Sequence, residues 1–300
     1  MPGREIRRDL SHHVTDIYVI EWLDRGLEPE TGSSLFEKVL APAAAEHPEI
    51  TPHLVAVREP DELFGVLAAI QDEVRRSNGR VYPLIHIETH GNTLALGRVG
   101  GKKVSFMDLR PHLAAINEAC RNHLVVTMAA CWGEHAIQMM EPMERAPVFG
   151  IVGIDEDLPP ELVADCFGRY CDTLVRTRKG EEAIKRMNEP LAGRKKQFNF
   201  IPAERMFREA WNRYAKFYCS PEFVQERIEN MDPKLERGGP IIDAAGPIKR
   251  AEWMARKMVD DLPDQFVKAR DNFFMYDLDP RNRDRFPVRY EEMDKPEGII

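Results

Sequence analysis

Cysteine is scarce in this chain of 300 residues: there are five, an odd number, at positions 120, 131, 166, 171 and 219. No two of them have Cys-x-x-Cys spacing, so neither a disulfide framework nor a zinc knuckle is expected, and at least one thiol is left free. The nine histidines contain no His-Glu-x-x-His segment, so no metal and no cofactor are expected. Long apolar runs are missing too. No stretch reaches the length of about eighteen residues that a membrane helix needs, and the start, Met1-Pro-Gly-Arg-Glu-Ile-Arg-Arg-Asp-Leu10, lacks the apolar segment of a secretory signal. A cytoplasmic protein without membrane contact is the expectation. Positive charge is in deficit: 42 basic against 50 acidic residues give a net charge of -8, which makes a nucleic-acid partner an unneeded assumption. A glycine-rich phosphate loop is lacking as well, because Gly97-Arg-Val-Gly-Gly-Lys102 has neither the spacing nor the strand-to-helix setting of a nucleotide-binding motif.

What is present is 43% hydrophobic content, enough for an α/β domain with a smaller helical region, and two apolar runs that end on reactive residues. These are Tyr82-Pro-Leu-Ile-His-Ile-Glu-Thr-His90-Gly91 and Leu124-Val-Val-Thr-Met-Ala-Ala-Cys131-Trp132-Gly133. Short runs rich in Val, Ile and Thr, bounded by turn residues, read as strands buried on both faces of a parallel sheet. Sites in open α/β sheets form at the carboxyl ends of strands, so neighbouring strands with these endings would bring an imidazole and a thiol together.

The rest of the chain supports an α/β unit over residues 15–190. Asp16 to Leu23 reads as a first strand, followed by a loop and a helix capped by Ser33 or Ser34 that runs to Glu46. Thr51 to Arg58 is a second strand, and Leu63, Val66, Leu67, Ile70 and Val74 recur at helical spacing before Asn78-Gly79. A short hairpin at Thr93 to Met107, a helix from Asp108 to Arg121, a strand over Pro147 to Ile154 and a helix from Pro159 to Val175 complete it, with closure near Asn188. Residues 1–14, with His12-His13, read as a mobile arm. Residues 191–300 read as all helical: Glu204 to Cys219, Glu222 to Met231, Ile248 to Asp260 and Asp264 to Phe274, broken by Pro and Gly at 238–247 and ending in a charged tail that wraps the surface or stays mobile. The stripe Met206, Phe207, Ala210, Trp211, Tyr214, Phe217 is expected to pack this region onto the α/β unit, and the region offers a docking element for a regulatory protein.

His90-Gly91 and Ala130-Cys131-x-Gly133, each after an apolar strand and 41 residues apart, resemble the caspase-like cysteine peptidases of clan CD, the group that includes caspases, metacaspases, legumains, gingipains, separases and bacterial CHAT-type domains. The resemblance spans residues 14–188, is closest in character to the CHAT-type domains, and implies a mostly parallel sheet flanked by helices. It implies Cys131 as nucleophile, His90 as general base, and the backbone N–H groups of Gly91 and Cys131 as holders of the oxyanion. The chemistry asks for the same residue types: a thiol needs a nearby imidazole to ionise and to protonate the leaving amine, and a glycine lets the substrate backbone come close.

The expected activity is therefore that of a cysteine endopeptidase, cleaving protein or peptide substrates in a regulated or defence setting; an inactive scaffold of the same fold and another Cys-His amidase are the rivals. Caspases carry a glutamine two residues before the nucleophile, where this chain has Ala129, so aspartate specificity is not expected. Asp155, Glu156 and Asp157 follow the next strand and would favour Arg or Lys at P1, although the same acidic run also suits the start of a helix. Trp132 serves equally as pocket wall or core. His86 reads as a packed core histidine, Glu88 as a solvated or capped carboxylate, His135 as a residue of the following helical turn, and Arg194-Lys195-Lys196 beside Phe198 and Phe200 as a solvated linker.

Overall fold

A computed structural model describes residues 14–24, 26–230 and 247–295. The expected arm with His12-His13 and the Pro/Gly breaks up to residue 246 lie outside the described residues. The described chain divides into two compact units, one of residues 14–139 and 146–203, the other of residues 140–145 and 204–295.

The first unit is built on β1 (Asp16–Glu21), whose six residues are all buried. A loop leads to α1 (Thr31–Leu35), which runs through a π-helical turn, Phe36–Leu40, into α2 (Ala41–Glu46). Ser33 does not cap this helix as expected. Its N–H and hydroxyl instead donate to the buried Glu21 carboxylate at 2.7 and 3.1 Å, and the helix begins two residues earlier, at Thr31. β2 (Thr51–Ala56) and the amphipathic α3 (Pro60–Ser77) follow. Leu63, Leu67, Ile70 and Val74 of α3 are buried, and Asn78 closes it in the left-handed conformation, φ 50°.

β3 (Pro83–Glu88) is buried along its whole length. The expected hairpin is a three-stranded sheet of β4 (His90–Gly91), β5 (Ala95–Gly97) and β6 (Lys103–Ser105). α4 (Phe106–Ala119) starts two residues earlier than the sequence pattern suggests, because Ser105 and Asp108 form a reciprocal capping box. β7 (Val125–Ala129) is followed by a 3-10 turn over Gly133–Met139, then β8 (Gly150–Gly153), α5 (Pro160–Thr177) and α6 (Gly180–Met187).

The main sheet has the order β2-β1-β3-β7-β8-β9, with every pairing parallel except the last. Its sixth strand, β9 (Asn199–Pro202), lies in the stretch read as linker and helical region. Ile201 pairs with Ile151 and Phe200 with Val152, and Phe198 is buried, so the α/β unit runs some fifteen residues past Asn188 to Ala203. An antiparallel edge strand needs no crossover helix, and four residues are too few to show a period. The architecture is thus α/β, a mostly parallel sheet flanked by helices, followed by helices.

The second unit contains α7 (Ala203–Tyr218), α8 (Pro221–Glu229), α9 (Pro247–Phe273) and α10 (Asn282–Arg285). Two expected helices merge in α9, which carries Pro263 inside; burial of Leu262 and Phe266 outweighs the cost of about 3 kcal/mol for an interior proline. The aromatic stripe finds partners within this unit: Phe207 meets Phe266, Phe273 and Phe274 at centroid distances of 5.6, 5.1 and 5.2 Å, and Trp211 meets Phe266 at 5.2 Å. Phe217 is exposed. The charged tail is held, with Phe286 and Val288 buried and the Tyr276 hydroxyl donating to the Phe286 carbonyl at 2.6 Å. Among the described residues, no helix is long and apolar enough to cross a membrane.

Candidate active site

His90 and Cys131 sit where β3 and β7 end, and these strands are neighbours in parallel register, Glu88 beside Ala129. Their ends abut. A Cβ placed on Gly91 would come within 2.5 Å of the Cys131 carbonyl and 3.2 Å of the Ala130 Cβ, so only glycine allows this approach. The turn after the nucleophile candidate is equally tight: Trp132 takes φ 62°, a left-handed conformation uncommon for a bulky residue, and a Cβ on Gly133 would stand 2.6 Å from the Met128 Cβ.

Both side chains line one pocket, with Leu23, Leu158 and Val163 as apolar wall and Glu28, Glu88 and Thr89 among its polar members. Within it each reactive group is held by a carboxylate. The Cys131 thiol donates to Asp157 Oδ1 at 2.8 Å, and His90 Nε2 meets Glu28 Oε1 at 2.5 Å. Burial, and then the Asp157 carboxylate, push the Cys131 thiol above its ordinary range; the N–H groups of Leu158 and of Cys131 itself favour the thiolate but are outweighed. This arrangement differs from an imidazole-activated thiol. Burial works against ionisation of Glu28, yet the Asp24 N–H, His90 and Arg98 together hold its carboxyl below the usual range. Arg98 in turn is paired with Asp24.

Glu28 is the residue that sequence reasoning missed. The loop after β1 was visible as a loop, but nothing in Arg25-Gly-Leu-Glu28 indicates which strand end it folds over. Glu88 and His86 serve the interior: His86 is fully buried, with Nδ1 to Thr127 Oγ1 at 2.7 Å and Nε2 to Glu88 Oε1 at 2.9 Å, and Thr31 donates to the other Glu88 oxygen at 2.8 Å. Glu88 is thus capped, as expected, and does not orient His90.

The candidate substrate-binding residues are not gathered together. Ala129 lines the pocket and Asp157 touches the thiol. Asp155 is bonded instead to His135 at 2.9 Å and to Lys196, which together hold its carboxyl low, Lys196 most. Glu156 pairs with Arg194 at 3.6 Å. The basic cluster read as linker therefore neutralises two of the three carboxylates read as a specificity pocket. Trp132 packs edge-on against His135, at 5.9 Å between ring centroids, and stands outside the lining of the pocket. The other four thiols, Cys120, Cys166, Cys171 and Cys219, are buried, and burial pushes Cys166 and Cys219 up to about 11.

No family model and no curated protein matches this chain. Among solved structures the Drosophila initiator caspase Dronc is similar to it, with a TM-score of 0.45 and 12% identity over 62% of this chain and 79% of that one.

Proposed function

We propose that this chain is a caspase-like cysteine peptidase, described in a resting form, with Cys131 as nucleophile and His90 as general base. The observation that carries the reading is the convergence of His90 and Cys131, from the ends of adjacent parallel strands, on one pocket whose loops meet at Gly91. In the reaction the Cys131 thiol passes its proton to His90 and the sulfur attacks the scissile carbonyl carbon. The resulting oxyanion is held by the N–H groups of Gly91 and Cys131, the C–N bond breaks, and His90 gives its proton to the departing amine. Water, deprotonated by His90, then hydrolyses the thioester and restores the thiol. Before the first step the thiol must leave Asp157 and the imidazole must leave Glu28; an activating event that moves the loops carrying them, as expected of a regulated peptidase, supplies this.

The preferred P1 residue in this reading is Arg or Lys. The carboxylate that would receive it is Asp157, because Asp155 and Glu156 already have cationic partners and Glu28 is held by His90 beside Arg98. A charge-assisted contact of about 1.5 to 3 kcal/mol is roughly a ten- to hundred-fold preference. An inactive scaffold is the second reading, favoured by the raised thiol pKa.

The test exposes the full chain to peptidyl electrophiles with Arg, Lys, Asp, Asn or Leu at P1 and locates the adduct by mass spectrometry. An adduct on Cys131 with the Arg and Lys reagents, lost in His90→Ala, is the expected result. Reaction with only the Asp or Leu reagents would remove the basic preference and keep the dyad. Indifference of Cys131 to all five reagents in the parent and also in Asp157→Asn, where the thiol is released, even with excess small alkylator reaching it, would leave the scaffold reading.

A further inference from the structure

The opposite end of the same sheet carries a second cluster of functional groups that the peptidase reading does not use. Asp16 opens β1, His53 lies in β2 and Glu73 on α3, and one ligand atom from each lies within 4.8 Å of the others. Parallel register sets Tyr18 directly beside His53, and their rings stack at 4.4 Å with planes 8° apart. The register also fixes which face of β1 is involved, since Asp16 and Tyr18 are two residues apart and share it.

Three features mark this as a built site rather than a surface ion pair. Asp16 is buried and oriented by its neighbour: Thr15 Oγ1 donates to Oδ2 at 2.7 Å, leaving Oδ1 to face His53 Nε2 at 3.2 Å. Thr15 Oγ1 is itself fixed by the Tyr82 N–H at 2.8 Å, so the carboxylate has a second layer of support of the kind that metal ligands require. The Tyr18 hydroxyl is the third. Its residue is 3% exposed, and the hydroxyl faces the Asp16 and Glu73 carboxylates, with Glu73 within reach as an acceptor although no well-formed hydrogen bond is made among the described residues. Two carboxylates facing each other across an imidazole, with a buried phenol beside them, form a recess that favours a cation.

We propose that Asp16, His53 and Glu73 bind a divalent transition-metal ion of the zinc type, with the Tyr18 hydroxyl hydrogen-bonding to a coordinated carboxylate or water. One imidazole and two carboxylates form a ligand set that zinc uses with a fourth position for water; the imidazole disfavours calcium and magnesium, which take all-oxygen shells. Glu73 is on a half-exposed helix position and His53 on an edge strand, so both side chains have room to adjust toward bonds of about 2.0 to 2.2 Å. The ion would tie β1, β2 and α3 together at the amino end of the sheet, remote in the strand direction from Cys131.

The experiment uses the full chain carrying Cys131→Ala, so that the thiol end cannot hold the probe. Binding of Zn2+ is followed by titration calorimetry and by the thermal midpoint, and Co2+ by its visible absorption. One equivalent of Zn2+ is expected to bind and to raise the midpoint, and Co2+ is expected to show d–d bands without a thiolate charge-transfer band. His53→Ala and Glu73→Gln should each weaken binding by at least about a hundred-fold, Tyr18→Phe by about ten-fold, and His135→Ala not at all. Glu73→Gln sits at a half-exposed position, so it keeps the test decisive should His53→Ala fail to fold. Zinc binding undiminished in Glu73→Gln, no saturable binding in the parent, or a midpoint raised as much by Ca2+ or Mg2+ would each overturn the proposal.

Discussion

The two ends of the β1–β3 region carry an imidazole apiece in opposite company. At the carboxyl end His90 lies in an apolar-walled pocket with a thiol, one carboxylate holding each of them. At the amino end His53 lies among two carboxylates and a buried phenol. The same ring is suited to proton transfer in the first setting and to cation binding in the second. What decides is the surrounding charge and the presence of a group that can give up a proton to it. In the two proposals, chemistry is thus a property of strand ends, and strand direction separates one site from the other.

The contrast can be broken most severely at His90. In the proposed dyad His90→Ala should lower peptide hydrolysis by about 10² to 10⁴-fold while leaving the thermal midpoint nearly unchanged, since the ring is 41% exposed. Equal loss from His53→Ala in the metal-free protein would erase the distinction between the ends.

Next in size is Gly91→Ala. A methyl group 2.5 Å from the Cys131 carbonyl forces the two loops apart, which should cost about 1 to 3 kcal/mol in urea unfolding together with most of the activity. An unperturbed protein would mean that the strand ends do not abut.

Asp157→Asn sharpens the account of the resting thiol. Removing the carboxylate leaves the N–H groups of Leu158 and Cys131, which favour the thiolate, against burial alone, so the thiol pKa should fall. Alkylation of Cys131 at neutral pH should accelerate, and the midpoint of its pH profile should move down. An upward move would contradict the assignment.

The smallest effect concerns Glu28. Its carboxyl is held low in the fold, so its contribution to stability is complete above the ordinary value of 4.5 and is lost as the pH falls through the lowered folded value. The stability difference between the parent and Glu28→Gln should therefore be under about 1 kcal/mol near neutrality and vanish on acidification, as chemical denaturation at several pH values would show. A difference that grows in acid would require another origin.

How much of this could be read beforehand depended on whether a feature was local. The strands ending at His90 and Cys131 were legible because β3 and β7 are buried on both faces and so carry unbroken apolar runs. Their adjacency followed from the short crossover through α4. His86 and His90, four residues apart in one apolar run, separate into the interior of β3 and the loop end beyond it, because depth along a strand is counted in residues. β9 escaped notice because four antiparallel edge residues after a basic loop give no run and no period. The merging of two helices into α9 escaped because the cost of Pro263 is visible in sequence, whereas the buried partners that offset it are not.

The amino-acid sequence by itself determined the α/β pattern, the helical remainder, the free thiol and the pairing of a His-Gly with an Ala-Cys strand end. These rest on periodicity and residue type, which local physics reads within a window of a few residues. Only the tertiary structure decided that Glu28 holds His90, that Asp157 holds Cys131, that Lys196 and Arg194 neutralise Asp155 and Glu156, and that Asp16, His53, Glu73 and Tyr18 form one cluster. Each of these contacts joins separate elements or loops, from 26 to 62 residues apart for the first two. Electrostatic partners have no periodicity, so charges far apart in the chain are assigned to one another only when the sheet has fixed where each strand begins and ends.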